Sequence, residues 1–311
     1  MENAPLHNDI ADGPDGGAAH WVKAEDGLQI RIAHWTNADV KATILMFPGR
    51  TEYIEKYGRT AGEFLQRGYA TVAVDWRGQG LADRTHDNPK IGDVVAFTDY
   101  QKDVAAVVAH ARALGLPEPF YLVAHSMGGC IGLRALIEGL PVKAAAFSAP
   151  MWGIEMDTLT RSFAWAASSL SRVFKFDHKI APGQDITTYV DRCTFEENTL
   201  TTNPDVFALF QAQAKALPDV TLGGPSLRWL NEALREMRYL STLPSPQLRC
   251  VTFLGTDEEI VDPTRIRERM ANWHNGTLRV LEGAKHEILM ESPEMCSDVM
   301  DTLIGIFDRH R

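Results

Sequence analysis

Basic residues are in short supply. The chain sets 31 lysines and arginines against 41 aspartates and glutamates, a formal net charge of −10. That balance offers little to a phosphate backbone and argues against a nucleic-acid-binding role. It gives no electrostatic pull toward anionic lipid headgroups either, although transient apolar contact with a membrane surface stays open. Cysteine is scarce: Cys130, Cys193, Cys250 and Cys296 form no CxxC pair. This argues against a disulfide framework or a zinc site and fits a reducing compartment. No apolar run reaches the ~18 residues of a membrane span. The opening stretch MENAPLHNDIADGPDGGAAH has no apolar signal-peptide core and reads as a flexible lead-in over 1–19. The expected location is therefore cytoplasmic, with peripheral membrane contact compatible. A P-loop is missing, as is any His/Cys/carboxylate cluster with metal spacing, so neither a cofactor nor a metal is expected. Nothing in the sequence speaks to oligomeric state.

What is present is an ordinary globular mixture, 45% hydrophobic and 23% charged over 311 residues, enough to bury a large core. Short apolar runs at 43–47 (TILMF), 70–75 (ATVAVD), 120–124 (FYLVA), 144–148 (AAAFS), 250–254 (CVTFL) and 277–281 (TLRVL) read as strands. Most are apolar nearly throughout, as strands of a parallel sheet covered on both faces should be. Ahead of them, 21–23 and 28–35 around Asp26-Gly27 form a hairpin pattern. Helical periodicity fills the gaps. In 99–114, Val104, Val107, Val108, Ala111 and Leu114 share a face, Thr98 and Gln101 form a capping-box pattern, and Gly115 is placed to stop the helix. The last helix begins at Ser292-Pro293, a cap followed by proline.

Strand–helix alternation predicts an α/β fold with a mostly parallel, eight-stranded, doubly wound sheet and helices on both faces. It breaks once, between about 151 and 240, where helical pattern carries Trp152, Phe163, Trp165, Phe174, Phe176, Phe207, Phe210 and Trp229. Leu243-Pro244-Ser245-Pro246 then re-enters the sheet. The expectation is a core of 1–150 and 241–311 with a helical cap inserted at 151–240. Most of its aromatics should form the cap's own core, and a minority should face a pocket.

The segment FYLVAHSMGG, 120–129, is strand, sharp turn, helix. A serine hydroxyl needs a base to take its proton and a turn that lifts it clear of the sheet, with small neighbours on both sides. Ser126 has Ala124 and Gly128, an AxSxG that departs from GxSxG by one methyl group. The N–H of Met127 at the helix start is a candidate oxyanion donor. A second N–H should come from the loop after the strand at 43–47, where Gly49 permits close approach and Arg50 is the candidate; the side chains of Arg50 and Glu52 are candidates to line the pocket. Of ten histidines, His286 follows the strand at 277–281 and a small-residue turn, which puts it at the carboxyl edge of the sheet beside Ser126. His125, adjacent to Ser126, reads as structural packing. The acid that orients the imidazole should follow the strand at 250–254. Asp257, Glu258, Glu259 and Asp262 compete there, and Asp262 before Pro263 suits a helix cap. The GQGLAD at 78–83 begins like a dinucleotide fingerprint, but no helix opens behind it and it reads as a turn.

Taken together, PGRTEYIEKY (48–57), DWRGQGLADR (75–84), AHSMGG (124–129), SAPMWGI (148–154), GTDEEIVD (255–262) and GAKHEILMES (283–292) resemble the monoacylglycerol lipase and bacterial lysophospholipase branch of the α/β-hydrolase superfamily, serine hydrolases of the S33 type. The motifs span most of the chain in the expected order, and PGRxE, RGQG and AHSMGG are most similar to the lysophospholipases. The resemblance implies a catalytic triad of Ser126, Glu258 and His286. Its G-x-x-D-x-hydrophobic-V pattern, laid on without gaps, puts the acid at Glu258, with Asp257 as the alternative. It also implies a lipid or small-molecule ester substrate, namely a lysophospholipid or monoacylglycerol cleaved through an acyl-enzyme. A small-ester carboxylesterase and a catalytically silent binding protein of the same fold are the rival readings.

Overall fold

Each apolar run named above lies in one sheet. In the computed structural model, which describes residues 1–310, the strands are β1 (Glu2–Ala4), β2 (Ala18–Lys23), β3 (Gln29–Trp35), β4 (Ala42–Phe47), β5 (Tyr69–Asp75), β6 (Phe120–His125), β7 (Ala144–Ser148), β8 (Arg249–Gly255) and β9 (Gly276–Leu281). Their order is β1-β2-β3-β5-β4-β6-β7-β8-β9. From β5 to β9 all pairs are parallel, while β1, β2 and β3 join the edge antiparallel. The helices are α1 (Asn8–Ala11), α2 (Gly58–Gln66), α3 (Tyr100–Ala113), α4 (Ser126–Ile137), α5 (Thr158–Val173), α6 (Pro204–Ala216), α7 (Leu227–Ser241), α8 (Pro263–Ala271) and α9 (Pro293–Asp308).

The sheet has nine strands where eight were expected. The ninth is β1, inside the stretch read as a flexible lead-in; it pairs Glu2 with Trp21 and Ala4 with Ala19. Three residues are too short for a periodicity to register. Tertiary bonds hold the segment instead: Arg31 Nη1 donates to Pro5 O at 2.9 Å, and Trp35 Nε1 donates to Asn8 Oδ1 at 3.0 Å. The capping box before α3 is a second correction. A 3₁₀ turn at Phe97–Asp99 precedes that helix, its cap makes no side-chain bond, and Gln101 Nε2 donates to Ile131 O instead. The caps at Ser292 and Asp262 are made, each side chain accepting from amides of the first turn. Gly115 does end its helix, at φ +69°.

The chain runs from β4 outward to β5, then returns across β4 to β6. That reversal leaves a crevice at the carboxyl ends of β4 and β6, where open α/β sheets bind ligands. The loops after β4, β6, β8 and β9 all emerge at this edge. GQGLAD is a structural turn there: a Cβ on Gly80 would stand 2.1 Å from the Asp75 carboxyl carbon. Asp75 in turn pairs with the fully buried Arg31 at 2.7 Å.

Between β7 and β8 no strand is added, and α5, α6 and α7 lie over the crevice. Asn231 on α7 donates to Ser168 and Ser169 on α5 at 3.1 and 3.2 Å. Trp152, Phe207, Phe210 and Trp229 are buried, as a segment needing its own core requires, but Phe163 and Phe174 are 61% and 68% exposed.

Candidate active site

Ser126 sits at the tip of the turn from β6 into α4 with φ +49°, a left-handed backbone that a non-glycine residue holds only when its surroundings enforce it. The enforcement is visible at Gly128, where a Cβ would meet the Phe47 carbonyl oxygen at 2.1 Å. Helix and strand β4 therefore touch backbone to backbone. The methyl of Ala124 is accommodated across the helix by Gly132, whose own Cβ would lie 3.3 Å from it.

The candidate triad converges on this point. His286 follows β9 and Glu258 follows β8, and both are buried, 3% and 7% exposed. His286 Nδ1 and Glu258 Oε2 are 2.8 Å apart. The other carboxylate oxygen, Oε1, accepts from the amides of Ile260 and Val261 at 2.7 and 3.0 Å. Burial alone would raise the pKa of Glu258, but the His286 charge and these bonds outweigh it and hold the carboxyl below its usual range. Asp257 lies on the exposed side of the turn, its carboxylate accepting from Thr256 Oγ1 at 3.1 Å. Ser126 and His286 line one cavity of about 530 Å³ with Arg50, Glu52, Lys56 and His125.

The loop after β4 is held by its flanking amides. Gly49 N–H donates to Glu52 Oε2 and Thr51 N–H donates to Gln79 Oε1 at 3.4 Å. Thr51 adopts φ +67°, a strained conformation for a β-branched residue. Among the described residues the amide between them, Arg50 N–H, has no acceptor. The first amides of α4, Met127 among them, have none within the helix either. Gly49 is needed for this approach, since a Cβ there would stand 3.1 Å from Ser126 Cβ.

Beneath the loop lies a network the sequence did not announce. Lys56 Nζ sits against Glu52 Oε1 and, at 2.6 Å, against Glu287 Oε1. Tyr57 OH donates to Glu52 Oε2 at 2.5 Å. His125 Nε2 lies 3.4 Å from Glu287 Oε2, while its Nδ1 is 3.1 Å from Ser148 O. Burial would lower the pKa of His125, but the Glu287 and Glu52 carboxylates raise it above the ordinary histidine value. Burial would likewise raise Glu287, yet Lys56 and His125 hold its carboxyl well below the usual range. Glu52, His125 and Glu287 bring donor atoms within 4.8 Å of one another, but the Lys56 ammonium supplies the positive charge of this cluster. His125 ties the turn before Ser126 to the residue after His286 and also lines the cavity. Lys56 and Glu287 were missed because only the fold brings them together, 231 residues apart.

A sheet of this order, with a serine turn and a histidine loop at one edge, is an α/β hydrolase. Residues 38–293 match the family described as serine aminopeptidase, S33, and the chain belongs to that family. It is similar to lysophospholipase L2 of Escherichia coli strain K12, 27% identical over 295 residues covering 92% of this chain and 86% of the relative. It also matches the probable lysophospholipase L2 of Haemophilus influenzae, 25% identical over 266 residues covering 85% and 83%. Among solved structures, a soluble variant of monoglyceride lipase from Saccharomyces cerevisiae, in complex with a substrate analogue, shares the fold. Its TM-score is 0.72 at 18% identity, over 93% of this chain and 94% of that one.

Proposed function

We propose that this chain hydrolyses carboxylic esters of monoacyl lipids, lysophospholipids or monoacylglycerols, with Ser126, His286 and Glu258 as its triad. The observation that carries the reading is the Glu258–His286 contact of 2.8 Å at a cavity that Ser126 shares and that Met151, Ile154, Phe163, Phe210, Trp229 and Leu230 make largely apolar. Ser126 Oγ attacks the ester carbonyl as His286 takes its proton, and Glu258 stabilises the imidazolium. The amides of Arg50 and Met127 receive the oxyanion. His286 then protonates the departing alcohol, and a water activated by the same imidazole clears the acyl-enzyme. Residues 151–240 act as a cap whose apolar inner face holds the acyl chain.

The outer face of that cap gives a lipid-facing surface. Helix α5 buries Ala164, Ser168 and Ser171 and turns Leu159, Phe163, Leu170 and Phe174, which follows it directly, outward. This is the inverse of an ordinary surface helix, and Phe163 belongs both to this stripe and to the cavity wall. Incubation with a fluorophosphonate probe, followed by a panel of p-nitrophenyl esters, monoglycerides and lysophospholipids of graded chain length, tests the assignment. The expected result is one covalent adduct at Ser126 and turnover that rises with acyl length. No adduct would leave a silent binding protein; turnover confined to short esters would leave a small-ester esterase.

A further inference from the structure

Three cations of this chain that lie largely out of solvent are each given two carboxylates. Arg31 has Glu55 and Asp75, Arg77 has Asp26 and Asp103, and Lys56 has Glu52 and Glu287. Arg50, half-buried, has none among the described residues; Arg84, Arg249 and Arg269 lack one as well, but Arg50 alone of these four lines the cavity that Ser126 and His286 share. Its Nη1 donates to Gly223 O at 2.9 Å, and its guanidinium lies over the Trp229 ring, 5.5 Å from the centroid. Gly92 makes room for it, since a Cβ there would stand 3.2 Å from Arg50 Nη1. Burial pulls the pKa of Arg50 down to about 10, aided by the like charge of Arg192; it stays a cation at neutral pH. Arg192 is exposed and lines the same cavity. Among the described residues neither arginine forms an ion pair with a carboxylate. Two like charges thus face one cavity, whose wall also carries the exposed Glu155 in no ion pair with either, and one of the two is held in place by an aromatic face, a carbonyl and a glycine. An uncompensated, positioned guanidinium at low dielectric is a receptor for an anion with planar or tetrahedral oxygens.

We propose that Arg50, assisted by Arg192, binds the phosphodiester of the substrate's leaving group, so that the enzyme selects a lysophospholipid over a neutral monoacylglycerol. The inference rests on the ester-hydrolase reading above. Covalent reach supports it. The Arg50 amide nitrogen, which receives the oxyanion, is separated from its guanidinium carbon by as many bonds as separate an ester carbonyl from the phosphorus of a 1-acylglycerol phosphodiester. One residue therefore touches the reacting oxygen with its backbone and the headgroup with its side chain. The apolar part of the cavity is left for the acyl chain.

The test compares kcat/KM for 1-palmitoyl-lysophosphatidylethanolamine and monopalmitoylglycerol in the same detergent micelles, using the full chain. Wild type is expected to prefer the phosphodiester. Arg50→Met lowers that preference by roughly 10- to 100-fold, the size of a lost charge-assisted hydrogen bond. Arg50→Lys, which keeps the charge but loses the fork, falls between. Arg192→Gln, at an exposed position that leaves the loop intact, lowers the preference by a few-fold. A preference unchanged in Arg50→Met and Arg192→Gln, or a wild type that prefers the glyceride, would overturn the proposal. Competition by glycerophosphoethanolamine but not by inorganic phosphate is expected; equal competition would overturn assignment to the leaving group. Fluorophosphonate labelling of Ser126 and glyceride turnover report on the ester-hydrolase reading separately, so the two can fail independently.

Discussion

The floor of the cavity keeps its charges paired and out of water, whereas the roof turns several of its largest apolar side chains toward solvent. On the floor, Glu258 meets His286, and Lys56 is shared by Glu52 and Glu287 within 9% exposure of every partner. Backbone meets backbone there, at Gly128 on Phe47 and at Gly255, where a Cβ would stand 2.0 Å from the Ala284 carbonyl oxygen. The roof is looser. Leu159, Leu170, Val173 and Phe174 on or beside α5 are all more than half exposed, while that helix packs inward on alanine and serine. The floor is built to hold atoms in fixed relation, as charge-stabilising chemistry requires. The roof leaves apolar side chains without a partner in this chain, which accords with the lipid-facing role proposed for it.

If the contrast is right, the floor should fail by orders of magnitude where the roof fails by small factors. The largest effect is expected from the proposed triad. Ser126→Ala should lower kcat on any ester by about 10⁵- to 10⁶-fold. Glu258→Ala should lower it by about 10⁴-fold, because the imidazole loses both its orientation and its counter-charge. Asp257→Ala, on the exposed side of the same turn, should leave kcat within about twofold. A near-wild-type Glu258→Ala together with an inactive Asp257→Ala would show that the short contact to His286 is not the one that matters.

The next effect is on stability. Glu287→Gln leaves Lys56 and His125 buried with one counter-charge fewer, which should cost about 3–5 kcal/mol at neutral pH by urea unfolding. The sign of the pH dependence follows from the depressed carboxyl of Glu287. Its contribution is fully present above the ordinary carboxylate range and is lost as pH falls through its lowered folded value. The gap between wild type and Glu287→Gln should therefore be widest near neutrality and close in acid. A gap that stays constant as the pH is lowered would show that packing, not charge, holds this part of the floor.

The two regions were also unequally legible in the sequence, for the same physical reason. Ser126 and His286 announce themselves because each sits in a local strand–turn–helix or strand–turn pattern whose residue types are dictated by neighbours a few positions away. Asp257 and Glu258 are adjacent, and residue chemistry alone did not separate them. A family pattern favoured Glu258; the turn then puts that side chain in the interior and its neighbour in water. Lys56 and Glu287 left no local trace, since their meaning lies in a contact made only after β4 and β9 join one sheet. The seat of Arg50 is similar, with a partner carbonyl 173 residues away. In the roof the same apolar letters serve three purposes. Phe207 is core, Phe210 is core and cavity wall, and Phe174 is surface. Helical periodicity marks a stripe but not which side of it faces the protein. The count of strands failed at the other end, where β1 is three residues held by tertiary bonds.

The smallest expected effect sharpens the comparison from the roof. Leu170 and Phe174 are exposed and lie outside the cavity wall, so replacing both with serine removes apolar surface without touching the chemistry. On long-chain substrate presented in vesicles the double variant should be roughly 3- to 10-fold less active, in line with the loss of a shallow apolar anchor. On a soluble short-chain ester it should match wild type. Its stability should stay the same or rise slightly, because these side chains bury little in the free protein. Cosedimentation with neutral phosphatidylcholine vesicles should fall in step with the vesicle activity, and added salt should change it little, since the net charge of −10 offers no attraction to be screened. Equal activity of the variant on both substrates would mean that the outward stripe on α5 is not the lipid-facing surface. The roof would then differ from the floor only in tightness of packing, not in what it was built to touch.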